Sequence, residues 1–334
     1  MHIASATMSR RQLLKNATAG ALFAGLASGF PFTGRIDVKA EDKPADGQGQ
    51  KEYPAGRYVD VHTHLGRTWN TTEVLTAKDL LKWMDESDIS QAVVLPLVSP
   101  ESSSYLLTPD FVLHETKDHR DRLIPFCCID PRTSFTGGKQ GLIDMLKLYI
   151  DAGAKGFGEH KTGIAMDDPR NLLVYEACGE VGLPVLFHSD TIRNIDAPGL
   201  PLLEKVLKMF PQTNFMAHAT AWWASISADV KEQNQLGGYP KEPVIPGGAI
   251  ERIMTECPNI YGDLSAGSGA NAIMRDIKFG REFLLRWADR MLFGTDYLAP
   301  GQDVPQLTLY RQLELPEDVQ AKIFRDNARK LLKI

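Results

Sequence analysis

The chain has 334 residues, 43% hydrophobic and 24% charged, the balance of a globular protein and not of a disordered one. A formal net charge of -5 with no basic patch argues against a nucleic-acid partner. Its four cysteines form no C-x-x-C pair, so buried thiols are expected in place of a thiolate metal site or redox motif.

The N-terminus reads as an export signal. Ser9-Arg10-Arg11-Gln12-Leu13-Leu14-Lys15 resembles the twin-arginine signature of bacterial export. The Ala/Gly-rich apolar stretch Ala17 to Phe30 follows, too short for a membrane span of about 20 residues. Val38-Lys39-Ala40 resembles a cleavage boundary, so residues 1–40 are expected to be removed. The expected location is the periplasm or another exported compartment, with the twin-arginine machinery as a partner and no stable membrane insertion after cleavage. Residues 41–55 are polar and Pro/Gly-rich and read as a linker to one domain over 56–334.

From Tyr58 onward, short apolar runs alternate with segments of helical spacing. The runs are Tyr58–Val61, Ala92–Leu95, Leu123–Ile129, Ala154–Glu159, Val185–His188, Asn214–His218, Ile260–Leu264 and Met291–Gly294. Thr76-x-x-Asp79 caps a helix near Leu80, and Leu142, Ile143, Leu146 and Ile150 share a helix face. Eight βα units with continuous apolar strands predict an α/β fold, a (β/α)8 TIM barrel. The rival, an open doubly wound sheet, lacks a G-x-G-x-x-G after its first strand. Two long connections, Ser99 to Pro109 and Thr220 to Gly248, are expected to shape a site or a homodimer contact.

Five strand ends carry metal-capable side chains. His62 and His64 lie two apart on the first strand and point the same way. His188 ends the fifth run, His218 the sixth and Asp296 follows the eighth. Strand C-termini of such a barrel converge on one face, so these residues can meet around an ion. Asp60 lies deeper on the first strand and is expected to brace it.

The motifs DVHTH, PVLFHSD, FMAHA, LFGTDY and the terminal IFRDNARKLL, in this order, resemble the amidohydrolase superfamily, in particular its amidohydrolase-related branch. The resemblance implies that His62, His64 and Asp296 bind one metal. It implies further that His188 and His218 bind a second, or that one of them joins the first site. The fourth run departs from members that carry a bridging lysine there. Here it reads Lys155-Gly156-Phe157-Gly158-Glu159-His160-Lys161. Period-two alternation puts Lys155, Phe157, Glu159 and Lys161 on one face and His160 on the other. A glutamate inside a barrel is costly unless paired or ligated, which favours Glu159 as a bridge between two metals. In the other alignment, that of one-metal members, Glu159 is not a ligand and His160 contacts substrate.

A nitrogen and oxygen donor set suits a divalent metal, zinc by default, with manganese, iron or cobalt also fitting. The expected enzyme is a metal-dependent hydrolase of an amide, lactone or related bond in a small molecule. In it Asp296 takes a proton from the nucleophile and gives it to the leaving group. The alternative is a one-metal decarboxylase or hydratase of an aromatic or enol carboxylic acid. Candidate substrate contacts are His160, Lys161, Asp190, Arg193, Asn194, Trp222 and Trp223, with Arg193 suited to a carboxylate or phosphate.

Overall fold

Eight short parallel strands carry the chain around a ring. They are β1 (Tyr58–Thr63), β2 (Ile89–Val94), β3 (Leu123–Pro125), β4 (Phe157–His160), β5 (Val185–His188), β6 (Phe215–His218), β7 (Ile260–Asp263) and β8 (Met291–Leu292). The computed structural model describes residues 55–334 apart from Trp69, Asn70 and Ser134. The expected signal and almost all of the expected linker lie outside the described residues. Ladders join β1 to β2 to β3, and β4 through to β8. Backbone bonds join the two sheets at both seams. Cys127 donates to Gly156 O (2.9 Å) and Gly158 to Cys127 O (2.8 Å). At the other seam Val61 donates to Phe293 O (3.0 Å) and His64 to Tyr297 O (3.0 Å). The closed ring is the predicted TIM barrel.

The helices follow in chain order: α1 (Ala77–Glu86), α2 (Pro109–Thr116), α3 (Gly138–Asp151), α4 (Pro169–Val181), α5 (Pro201–Met209), α6 (Thr220–Ala224), α7 (Ala249–Glu256), α8 (Ala266–Met274), α9 (Ile277–Arg286), α10 (Gln306–Leu309), α11 (Glu317–Ala321) and α12 (Asn327–Leu332). Their starts are written in the sequence. Thr76 and Asp79 form the predicted capping box on α1, and Asp168 caps α4 just before Pro169.

Two apolar layers hold the barrel. Inside it, Val59, Val61, Val93, Leu95, Ile124, Phe126, Leu186, Met216 and Leu292 form one buried cluster, joined by Ala328 and Leu332 of α12. Outside it, alternate strand residues such as Val94, Leu123, Phe187, Phe215 and Met291 pack against the helices. At roughly 25 cal/mol per Å² of apolar area buried, these two layers supply the main drive to fold.

The β4 alternation expected from sequence is broken. Phe157 packs in the outer layer, beside His160 and Tyr175, while Glu159 faces inward. The register between β4 and β5 shifts between Phe157 and His160, so one residue extra separates the two outward positions. Trp222 and Trp223 likewise belong to the core. Residues after His218 turn into α6, which packs both indoles into the outer layer, with Trp223 Nε1 donating to Asp263 O (2.8 Å). All four cysteines are buried free thiols.

Candidate metal centre

The strand ends deliver a compact cluster of buried imidazoles and carboxylates. Each histidine ring is held by one nitrogen from outside. His62 Nδ1 donates to Asp263 Oδ2 (2.7 Å), and His64 Nδ1 to Leu95 O (3.0 Å). His218 Nδ1 bonds Ser265 Oγ (2.9 Å), which itself donates to Asp263 Oδ2 (2.9 Å). His188 Nε2 bonds Asp190 Oδ2 (3.0 Å). These partners set the tautomers and leave Nε2 of His62, His64 and His218, and Nδ1 of His188, turned towards one centre.

Two carboxylates face that centre. Glu159 Oε2 lies 3.9 Å from His62 Nε2 and 3.5 Å from His64 Nε2. Its Oε1 lies 2.8 Å from His188 Nδ1 and 3.9 Å from His218 Nε2. Asp296 Oδ1 is 3.6 Å from both His62 and His64 Nε2. Donor atoms within 4.8 Å of one another form three sets: His62–His64–Glu159, His62–His218–Asp296 and Glu159–His188–His218.

This donor set fits a bound cation. His62 Nε2 is buried without a hydrogen-bond partner among the described residues, an orphan that a metal would satisfy. A neutral His188 ring can donate to Asp190 or to Glu159 but not to both, so one lone pair faces a carboxylate, an arrangement a cation relieves. The protein's own charges show the same excess of negative potential. Burial works against protonation of His62, yet Asp263, Asp296 and Glu159 outweigh it and raise the ring to about 9. Burial would raise Glu159, but Lys161, His188 and His62 hold it well below the usual carboxylate range. Lys161 Nζ sits 3.4 Å from Glu159 Oε1. His64, by contrast, is pushed down to about 4 by burial and stays neutral, as a ligand must.

The backbone at the strand ends is bent to bring these groups in. Asp296 adopts φ +59° and donates its N–H to His62 O (2.8 Å). Ala219, directly after His218, sits at φ +82°, a conformation that favours glycine and stores strain beside the cluster. Asp60 braces β1 against β8 as expected, accepting from Thr295 Oγ1 (2.5 Å) and Thr295 N (3.0 Å). Gly294 makes room beneath: a Cβ there would lie 2.4 Å from Asp263 Oδ1.

A cavity of ≈ 210 Å³ opens over the cluster, with His64, His188, His218 and Asp296 in its floor and Lys161 at its side. Of the expected substrate contacts, only Lys161 lines it. His160 faces away between β4 and α4, where Nε2 meets Asn171 Oδ1 (2.9 Å) and burial lowers it to about 4. Trp222 and Trp223 are core residues. The guanidinium of Arg193 is already committed to Glu101 O (2.7 Å) and Asp190 Oδ2 (2.6 Å), tying the second connection to the fifth. Asn194 is buried, donating to His160 O and His188 O. Asp263 and Ser265, which hold His62 and His218, carry no histidine-type signal in the sequence, although Asp263 closes an apolar run much as Asp296 does. Ser268 and Tyr239, which line the cavity, carried no such signal.

A family model described as amidohydrolase matches residues 102–334, a range that begins after β1 and so leaves out His62 and His64. Solved structures of similar fold include an amidohydrolase from Burkholderia multivorans, 12% identical, covering 83% of this chain and 99% of that one with a TM-score of 0.56. A putative 2-pyrone-4,6-dicarboxylic acid hydrolase from Pseudomonas putida is 14% identical, with 85% and 98% covered and a TM-score of 0.56. A 5-carboxyvanillate decarboxylase from Novosphingobium aromaticivorans, complexed with manganese and a nitrobenzoic acid, is 17% identical, with 76% and 79% covered and a TM-score of 0.50. No curated protein sequence matches. With the barrel closed, the metal-capable cluster at its C-terminal face and the family model spanning more than half of the sequence, this chain belongs to the amidohydrolase family.

Proposed function

We propose that this protein is a metal-dependent hydrolase acting on an amide, lactone or related bond of a small molecule, with Glu159 bridging two ions. The observation that carries the reading is the position of Glu159, whose two oxygens face both histidine pairs. His62, His64 and Asp296 would hold one ion with Glu159, and His188 and His218 the other. Divalent ions bound there, zinc by default, would supply Lewis acidity, polarising the scissile group and acidifying water.

The chain's own groups do the rest. Asp296 directs Oδ1 at His62 and His64, which leaves its second oxygen to accept a proton from the attacking water and return it to the leaving group. Lys161 neutralises part of the Glu159 charge and offers a cation at the cavity wall. Asp263, Ser265, Asp190 and the Leu95 carbonyl keep the four imidazoles in place, so no reorganisation accompanies the reaction.

A second reading is supported by the His62–His218–Asp296 set, which needs no bridge and would suit a one-metal decarboxylase or hydratase. The 5-carboxyvanillate decarboxylase of similar fold is in keeping with it. Inductively coupled plasma mass spectrometry on protein purified without chelator separates the two. Two divalent ions per chain, with hydrolysis reduced at least about a thousandfold in Asp296→Asn, supports the hydrolase. One ion per chain, with full activity in Glu159→Gln, supports the lyase and ends the bridging reading. We further infer, from Arg10-Arg11 and the apolar stretch behind them, that the enzyme is exported already folded around its metal.

A further inference from the structure

Lys161 stands among the metal-facing groups although a charged lysine has no lone pair to give a metal. It follows β4 directly, lines the cavity over the cluster, and has a side chain only 11% exposed. Its Nζ lies 3.4 Å from Glu159 Oε1 and 3.5 Å from Oε2. The ammonium is thus shared almost evenly by the two oxygens that face the two histidine pairs. The candidate ion positions do not depend on Glu159 equally. The set His62–His218–Asp296 has a carboxylate of its own, and Asp296 Oδ1 also reaches His64 Nε2 at 3.6 Å. In the set Glu159–His188–His218 the carboxylate is Glu159 alone. Asp190 touches His188 at its outer nitrogen (3.0 Å), and Arg193 Nη1 (2.6 Å) and the amides of Ile192 and Arg193 hold it there. An ion beside His188 and His218 therefore relies on the charge of Glu159, which Lys161 already partly neutralises. Like charges close together in a site shielded from water repel strongly, and salt screens them little.

We propose that Lys161 competes with metal for the bridging carboxylate, so that the ion at His188 and His218 is weakly held and exchangeable while the ion at His62, His64 and Asp296 is resident. The ammonium meets an ion approaching either oxygen of Glu159, but at the resident position Asp296 supplies charge that Lys161 does not touch. A reaction that needs both ions then follows the supply of free divalent metal. The inference rests on the reading of Glu159 as a bridge between two ions.

The test starts from zinc-loaded protein dialysed against chelator-buffered zinc at falling free concentration, with ions per chain counted by inductively coupled plasma mass spectrometry. The wild type should release its ions in two separate steps. Lys161→Met keeps the aliphatic stem and removes the charge. It should hold the weaker ion down to about tenfold lower free zinc or further, and shift the tighter step by less. Lys161→Gln should do the same, whereas Lys161→Arg, which keeps the charge, should release as the wild type does. His188→Asn should lose the weaker step and keep the tighter one. Wild-type release in both neutral variants would overturn the proposal. So would Lys161→Arg behaving like Lys161→Met, both ions leaving the wild type in one step, or His188→Asn losing the tighter step. Failure of the bridge reading shows separately, and the proposal falls with it: Glu159→Gln would release both ions as the wild type does, or wild type and Lys161→Met alike would hold one ion at most at saturating zinc.

Discussion

Replacing Asp263 by Asn keeps the shape of a buried side chain and removes its charge. Asp263 Oδ2 accepts from His62 Nδ1 at 2.7 Å and from Ser265 Oγ at 2.9 Å, and lies 3.4 Å from His218 Nδ1. It fixes the tautomer of His62 directly and that of His218 through Ser265. Asp263 Oδ1 accepts a further bond from Ser265 N (3.0 Å). Asn offers one acceptor oxygen for these two positions, so either that amide or the His62 and Ser265 Oγ pair must face an NH2 group. Loss of such an outer partner typically costs about 10- to 100-fold in metal affinity, or about 1.4–2.8 kcal/mol. With two rings affected, the expected loss is about 100-fold. The polar group left unpaired adds about 1–3 kcal/mol to the destabilisation, a fall of several degrees in Tm for a domain of this size. Chelator competition measures the affinity and thermal melts with and without metal measure the stability. Ser265→Ala keeps the His62–Asp263 bond and cuts only the link to His218, so it should lose about tenfold. Wild-type affinity in Asp263→Asn, or a loss in Ser265→Ala as large as in Asp263→Asn, would refute the tautomer argument.

Two further outcomes follow from groups away from the cluster. Burial opposes ionisation of Asp130, but hydrogen bonds from Arg132 hold it down to about 2, and Arg132 also grips Glu101 through both oxygens. A depressed folded value stabilises the protein above the ordinary carboxylate range, near 4, and the gain is lost as pH falls through about 2. Arg132→Gln should therefore flatten the Tm profile between about pH 4 and 2; an unchanged acid limb would show that the pair contributes nothing. Burial also raises Cys127 to about 12 and holds Cys128 and Cys178 well above the usual thiol range. The native protein should leave a disulfide-exchange reagent such as DTNB unreacted for hours and titrate as four thiols once unfolded; rapid reaction of even one native thiol would contradict the burial.

How much was readable in advance depended on the range of the interaction involved. The eight strands were legible because a strand buried on both faces must be apolar along its length, and the barrel followed from their alternation with helices. His62, His64, His188, His218 and Asp296 were legible because each closes such a run. Trp222 and Trp223 were misassigned because an indole next to a site residue reads the same whether it turns to the cavity or to the core. Alternation sets His160 opposite Glu159, as the structure does, but puts Phe157 beside Glu159 because it carries no knowledge of the register shift in β4; His160 enters as a substrate contact only through the one-metal alignment. Arg193 suggested anion recognition because its partner, the Glu101 carbonyl, lies on another connection.

The sequence by itself determined the elements, the closing topology and the donor types at the strand ends, since these follow from local patterns of apolarity, capping and chain reach. Only the tertiary structure decided that Asp263 and Ser265 hold two histidines, that Glu159 faces both pairs, and that Arg193 is tied to the Glu101 carbonyl. Those facts depend on which distant side chains meet in space, and burial makes each meeting energetically decisive by removing water as the alternative partner.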